Sequence, residues 1–186
     1  MDPKILGILG GLALAAVLFW PGGSSMKVER LYNEAEQLYS QNDYEGAIEK
    51  YDEALEESIK WGVKTEVIDK DFKTLATYKI AVSYSKMAEQ TGDITNYDRA
   101  IEKIEEVAPY ARVPKHQEGL TYLWGHILYK QEKFETSEPK FQTLIENFPN
   151  SLFVENAWYA IGQLNYKLQN YDQSRRAFKE VLDGFP

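Results

Sequence analysis

Residues 158–186 read WYAIGQLNYKLQNYDQSRRAFKEVLDGFP, and residues 121–149 read TYLWGHILYKQEKFETSEPKFQTLIENFP. Laid over each other, they pair Gly125 with Gly162, Tyr129 with Tyr166, Phe134 with Tyr171, Ser137 with Ser174, Phe141 with Phe178 and Pro149 with Pro186, always 37 residues apart. Within each copy the glycine stands twelve before the serine, the serine four before the phenylalanine, and the phenylalanine eight before the proline. A fixed period of this length marks stacked supersecondary units. The offsets have a physical reading. A glycine on the first helix of a pair lets the second helix lie close. The second helix presents a small and then a large residue, one turn apart, to the same seam. The proline ends the second helix and starts the turn to the next pair.

Working back toward the N-terminus, apolar residues keep recurring at three and four, as in LYNEAEQLY (31–39) and AIEKYDEAL (47–55). QND, TGD, QEK, FPN and LQN punctuate the chain as turns. No stretch alternates like a half-buried strand. Leu31, Ala35, Leu38, Ala47, Tyr51 and Ala54 keep the repeat spacing without a closing proline. Ala81, Tyr84, Ala100 and Ile104 keep it with seven extra residues, which places QTGDITN (90–96) in a longer loop. KWGVKTEVIDKD (60–71) reads as a linker. The expected organisation is all-α: about four antiparallel helix pairs over 26–60, 66–109, 114–149 and 151–186, stacked as an α-solenoid. Pro139 calls for a late or distorted helix start, with Thr136 as the cap, so that the proline falls in the first turn.

The pattern resembles the tetratricopeptide repeat, whose signature runs tryptophan, leucine, glycine, tyrosine, then alanine, phenylalanine and proline. Trp158, Ile161, Gly162, Ser174, Phe178 and Pro186 stand in that register. ENFPNS (146–151) and GQLNY (162–166) make the repeats similar to those of bacterial envelope proteins of the CpoB and BamD families. An N-terminal anchor followed by repeats is similar to the YfgM family. The cleaved signal and coiled coil of CpoB and the lipidated cysteine of BamD have no counterpart here, so the resemblance implies an envelope scaffold and no single named role.

The resemblance also implies a groove lined by the first helices. With Ala35, Ala81, Gly125 and Gly162 as the ruler, Tyr32, Tyr78, Tyr122 and Tyr159 stand three residues before it. Four residues after it come Tyr39, Ser85, Tyr129 and Tyr166, and one further on Ser40, Lys86, Lys130 and Lys167. One after it come Glu36, Val82, His126 and Gln163. Tyrosines offer contact area at low entropy cost, and the lysines suit an acidic group or a terminal carboxylate. The competing reading is that these tyrosines pack between neighbouring repeats.

Ahead of the repeats, ILGILGGLALAAVLFW (Ile5–Trp20) holds sixteen residues without a charge. As a helix it spans roughly 24 Å, slightly under the hydrocarbon core of about 30 Å. Residues 1–20 therefore read as a single-pass transmembrane anchor, with a cleaved signal peptide as the rival. Gly7, Gly11 and Ala15 lie four apart and form a face for packing against membrane subunits. PGGSS (21–25) reads as a hinge. The bulk of the chain is expected on the periplasmic or another extracytoplasmic side.

A net charge of −8 speaks against nucleic-acid binding. The absence of cysteine removes thiol chemistry and a lipid-acceptor cysteine. His116 and His126 fall on different helical faces without ligand partners, so no metal or other cofactor is expected. No nucleophile motif or small-molecule site emerges, and enzyme activity is not expected. The expected partners are other proteins, as a peptide or helix in the groove, and the lipid bilayer. Two alternatives remain: a structural subunit of a larger membrane complex, and a cytosol-facing import receptor. The repeat pattern breaks off at FKEVLDGFP (178–186), with Phe178, Val181 and Leu182 expected on their own first helix. The expectation is that the chain continues past Pro186, or that a partner supplies the next helix.

Overall fold

The computed structural model describes residues 23–60 and 66–184. The apolar run Ile5–Trp20, its Gly7–Gly11–Ala15 strip and anything past Pro186 lie outside the described residues. Among those described, no helix is long and apolar enough to cross a membrane. They form eight α-helices, one short 3₁₀ turn and no strand. The helices are α1 (Gly23–Ser40), α2 (Tyr44–Lys60), α3 (Glu66–Thr91), α4 (Thr95–Val107), α5 (Pro114–Lys130), α6 (Phe134–Asn147), α7 (Val154–Lys167) and α8 (Tyr171–Gly184). Contacts divide the chain into two compact units, Met1–Gln117 and Glu118–Pro186.

In the first unit α1 packs on α2, α2 on α3, and α3 on α4. The ruler residues do what their size requires. Ala35, Ala47, Tyr51 and Ala54 are fully buried where α1 meets α2, and Ala81, Ala100 and Ile104 where α3 meets α4. In the second unit α7 packs on α6 and on α8. A Cβ added at Gly125 would lie 2.9 Å from Phe141 Cε1, and one at Gly162 would lie 2.6 Å from Phe178 Cδ1. The Ser137 hydroxyl donates to the Gly125 carbonyl and the Ser174 hydroxyl to the Gly162 carbonyl, each at 2.8 Å. The twelve-residue glycine-to-serine offset is therefore a hydrogen bond between the two helices of a pair.

One turn recurs in three of the pairs. Asn42, Glu132 and Gln169 are left-handed, at φ 63°, 59° and 62°. The following amides, of Asp43, Lys133 and Asn170, reach back to the carbonyls of Leu38, Leu128 and Asn165 at 3.0, 2.9 and 2.8 Å. This is the six-to-one bond of a helix end closed by a left-handed residue. Asparagine tolerates that conformation, whereas glutamate and glutamine carry a cost of roughly 1–2 kcal/mol there. Gln169→Gly is expected to stabilise the second unit by about 0.5–1 kcal/mol once the greater freedom of glycine in the unfolded chain is subtracted. A urea midpoint that fails to rise would count against it. Asn42→Gly should change the midpoint less.

Several expectations need correction. The extra residues of the second pair do not form a long loop. They lengthen α3 to 26 residues, and only 92–94 separate it from α4. Gly92, at φ 74°, stops the helix where a left-handed residue is needed. Asp93 Oδ1 then accepts the Thr95 amide at 3.0 Å and its hydroxyl at 2.8 Å, which starts α4 at once. Those bonds hold the Asp93 carboxyl below the usual range. The supposed linker is helical from Glu66 onward, and the supposed hinge from Gly23. First-turn amides need no helical partner, so weak helix formers are tolerated there.

Pro139 lies in the second turn of α6, because the helix starts at Phe134 and not near Thr136. Thr136 does not cap it; its hydroxyl donates back to the Lys133 carbonyl at 3.0 Å. Pro139 and Glu135 are both exposed, so the helix bond that a proline cannot make is lost at the surface and not in the core. Leu182 does not rest on its own first helix: it is 79% exposed.

Candidate protein-interaction site

The tyrosines three before the ruler were expected to line a groove. Tyr32, Tyr78 and Tyr122 are instead buried, at 1%, 4% and 6% exposure, while Tyr159 is 50% exposed. The cause is visible in each unit. Phe72, at the start of the described core of α3, brings its ring to 6.1 Å from Tyr32. Phe153, just before α7, stacks on Tyr122 at 4.8 Å. Burial pushes the Tyr122 phenol up to about 12. Tyr32 and Tyr122 are therefore seam residues between consecutive helix pairs, Tyr78 is buried, and of the four only Tyr159 is open.

The column one after the ruler turns inward as well. Val82 is buried, and His126 stacks on Tyr122 at 6.0 Å. Gln163 is half-buried. Glu36 binds the ammonium of Lys79, 2.7 Å from Nζ to Oε1, and accepts a hydrogen bond from the Tyr51 hydroxyl. Lys79 is only 2% exposed. Burial, with the Glu36 charge beside it, drives the Tyr51 phenol far above its ordinary value.

The column four after the ruler behaves differently. Ser85 is buried, but Tyr39 and Tyr129 are half-buried and Tyr166 is 63% exposed. Each of these tyrosines meets the aromatic residue five positions later, across the recurrent turn. The ring centroids are 5.3 Å apart for Tyr39–Tyr44 and 5.7 Å for both Tyr129–Phe134 and Tyr166–Tyr171. The turn geometry explains the pairing, because it folds the start of the second helix back beside the last turn of the first.

Lysines join this surface unevenly. Lys167 Nζ lies 5.6 Å from the centre of the Tyr129 ring, 5.4 Å from that of Phe134 and 3.5 Å from Glu132. Lys86 is engaged with Glu89 at 2.7 Å, and Lys130 stands exposed at the end of α5. The second unit thus offers two aromatic pairs and an exposed ammonium beside them. Such a surface can hold a peptide backbone, an apolar side chain or an acidic group. Among the described residues no group of histidine and carboxylate side chains is placed to hold a metal.

The sequence reading missed Phe72, Phe153 and the Glu36–Lys79 pair. A signal for the first two was present: FKTLA (72–76) and FVENA (153–157) each begin nine residues before the ruler.

Residues 122–186 match the tetratricopeptide repeat family. The match spans the part of the chain in which the glycine, serine and phenylalanine of each pair meet as described. It supports a tetratricopeptide repeat protein, and with it a scaffold for protein–protein interaction. Tetratricopeptide modules are typically non-catalytic. No curated protein matches the chain.

Proposed function

We propose that the chain is a membrane-anchored tetratricopeptide scaffold of the bacterial envelope that holds a peptide or helix of another protein. The mechanism is tethering. The apolar run Ile5–Trp20 fixes the chain to a bilayer, and the aromatic pairs at the helix turns grip the partner. The observation that carries this reading is the recurrence of Tyr129–Phe134 and Tyr166–Tyr171 beside Lys167, within the segment that matches the repeat family. Rigid aromatic faces with a neighbouring cation are the chemistry of interface anchors. The repeats stand on the extracytoplasmic side in this reading.

A photoreactive residue in place of Tyr166 should give a discrete crosslinked adduct in cells. Tyr129→Ala with Lys167→Glu should reduce its yield about tenfold, as loss of an interface anchor does. An undiminished yield would rule out the turn aromatics as the binding surface. Protease added to intact spheroplasts should digest the repeats; protection until lysis would overturn the proposed side.

A further inference from the structure

We propose that the edge of the first unit at which α1 begins lies against the bilayer surface, with Tyr110 and Ile59 at headgroup level and Arg112 on a lipid phosphate. The inference rests on the anchor proposed for Ile5–Trp20 and adds how the first unit stands on the membrane.

Two ion pairs fix which groups share that edge. Lys27 meets Glu57 at 2.8 Å across α1 and α2, and Lys73 meets Glu106 at 2.9 Å across α3 and α4. The Tyr32–Phe72 contact, at 6.1 Å, sets α1 and α3 side by side, so both pairs end on one edge. Gly23, where α1 starts, lies four residues beyond Lys27, Ile59 two beyond Glu57, and Tyr110 four beyond Glu106. At about 1.5–2 Å per residue, each stands about one turn or less past its ion pair.

Ile59 is 64% exposed and Tyr110 56%. The segment that carries Tyr110 is pinned. The Ala111 amide donates to the Val107 carbonyl at 3.1 Å, and the Ala111 carbonyl accepts the Gln117 side-chain amide at 2.6 Å. Ala111 is buried and extended, at φ −64° and ψ 110°, so Tyr110 and Arg112 on either side of it are turned outward together. Both are exposed. Single exposed apolar groups are ordinary on a protein surface. A tyrosine and a guanidinium held outward side by side, with an isoleucine on the same edge, have the chemistry of the membrane interface.

The local charge permits the contact. Residues 107–117 contain no carboxylate, in a chain of net charge −8. Glu57 is held by Lys27, and Glu106 by Lys73 and Lys103, which keep the Glu106 carboxyl below the usual range. α3 opens at the same edge with Glu66, so apolar groups and one guanidinium set the contact, not a broad positive field.

The tether makes a weak contact sufficient. Only Pro21 and Gly22 stand between Trp20 and Gly23, and three Cα steps reach about 11 Å. With the apolar run in the bilayer, the contact is intramolecular and needs little intrinsic affinity. The turn that carries Tyr39 and Tyr44 then stands at the far end of the 18-residue α1, about 25 Å from the surface, open to a partner.

The chain has no cysteine, so Pro109→Cys or Gln41→Cys accepts one fluorophore. The labelled full chain is reconstituted into vesicles of phosphatidylethanolamine and phosphatidylglycerol that contain a headgroup-spin-labelled lipid. Co-flotation reads the anchor, and quenching reads the edge. Flotation is expected, with strong quenching at position 109 and little at position 41. Tyr110→Glu with Arg112→Glu should lower the quenching at 109 to the level at 41 and leave flotation intact. Equal quenching at the two positions, or quenching at 109 indifferent to the double change, overturns the edge contact while the anchor stands. A chain that does not float overturns both.

Discussion

Glu36→Leu is expected to destabilise the first unit by about 3–5 kcal/mol, because it strands a buried ammonium. Lys79 Nζ reaches both carboxylate oxygens of Glu36, at 2.7 and 3.0 Å, from a position that is 2% exposed. The Tyr39 ring, with its centre 5.9 Å from Nζ, offers too little to replace a carboxylate. Lys79→Met should cost less, about 1–2 kcal/mol, the range for a polar group that loses one partner. The asymmetry follows from exposure: the Glu36 side chain is 33% exposed and keeps the Tyr51 hydroxyl, so it can rehydrate. The double change Glu36→Leu with Lys79→Met should come close to the native stability, since an apolar pair of similar volume needs no desolvation. Regional hydrogen exchange over α1 and α3 reads the local opening free energy, with α7 and α8 as an internal reference. Additive losses in the double variant would show that the pair is not coupled.

Gly125→Val is expected to cost the second unit about 3 kcal/mol, at the upper end of core overpacking. Its Cβ would fall 2.9 and 3.0 Å from Phe141 Cε1 and Cδ1, and 3.2 Å from Lys140 Cβ. Phe141 is fully buried and cannot turn aside. Gly125→Ala should cost less, about 1–2 kcal/mol, because the clash is partly offset by the better helix propensity of alanine, about 1 kcal/mol. At Gly162 the static contact is tighter, 2.6 Å to two carbons of Phe178, yet the expected loss is smaller. Phe178 lies half-exposed on the outer flank and its ring has room to move. Gly162→Ala should therefore be near neutral. Urea unfolding of the two alanine variants decides the point: a greater loss at Gly162 than at Gly125 would show that static distance outweighs the freedom of the neighbour.

The helix pairs were legible because their signals are local. The left-handed closures at Asn42, Glu132 and Gln169 fall in the segments QND, QEK and LQN, and the glycine–serine–phenylalanine spacing names the residues that meet within a pair. The length of α3 was misread for a related reason. Aligning the second pair to the others puts its surplus residues in a loop, but the stop signal is Gly92, and the helix runs until it arrives.

The tyrosine ladder shows where local reading fails. Periodicity places Tyr32, Tyr78, Tyr122 and Tyr159 at equivalent positions on their helices. It does not say what approaches that face from the next pair. Phe72 is forty residues from Tyr32 and Phe153 thirty-one from Tyr122, so the cover depends on contacts distant in sequence.

The sequence by itself determined the helical class, the pairing of helices, the recurrent turn and the small-to-large contact within each pair. All of these depend on neighbours within a few turns of chain. Only the tertiary structure decided that Tyr32 and Tyr122 lie in seams, that Lys79 is buried on Glu36, and that the turn aromatics and Leu182 on α8 stand open. Those outcomes depend on which surface a helix meets forty residues away, and burial is a property of the assembled neighbours, not of the spacing along one strand of chain.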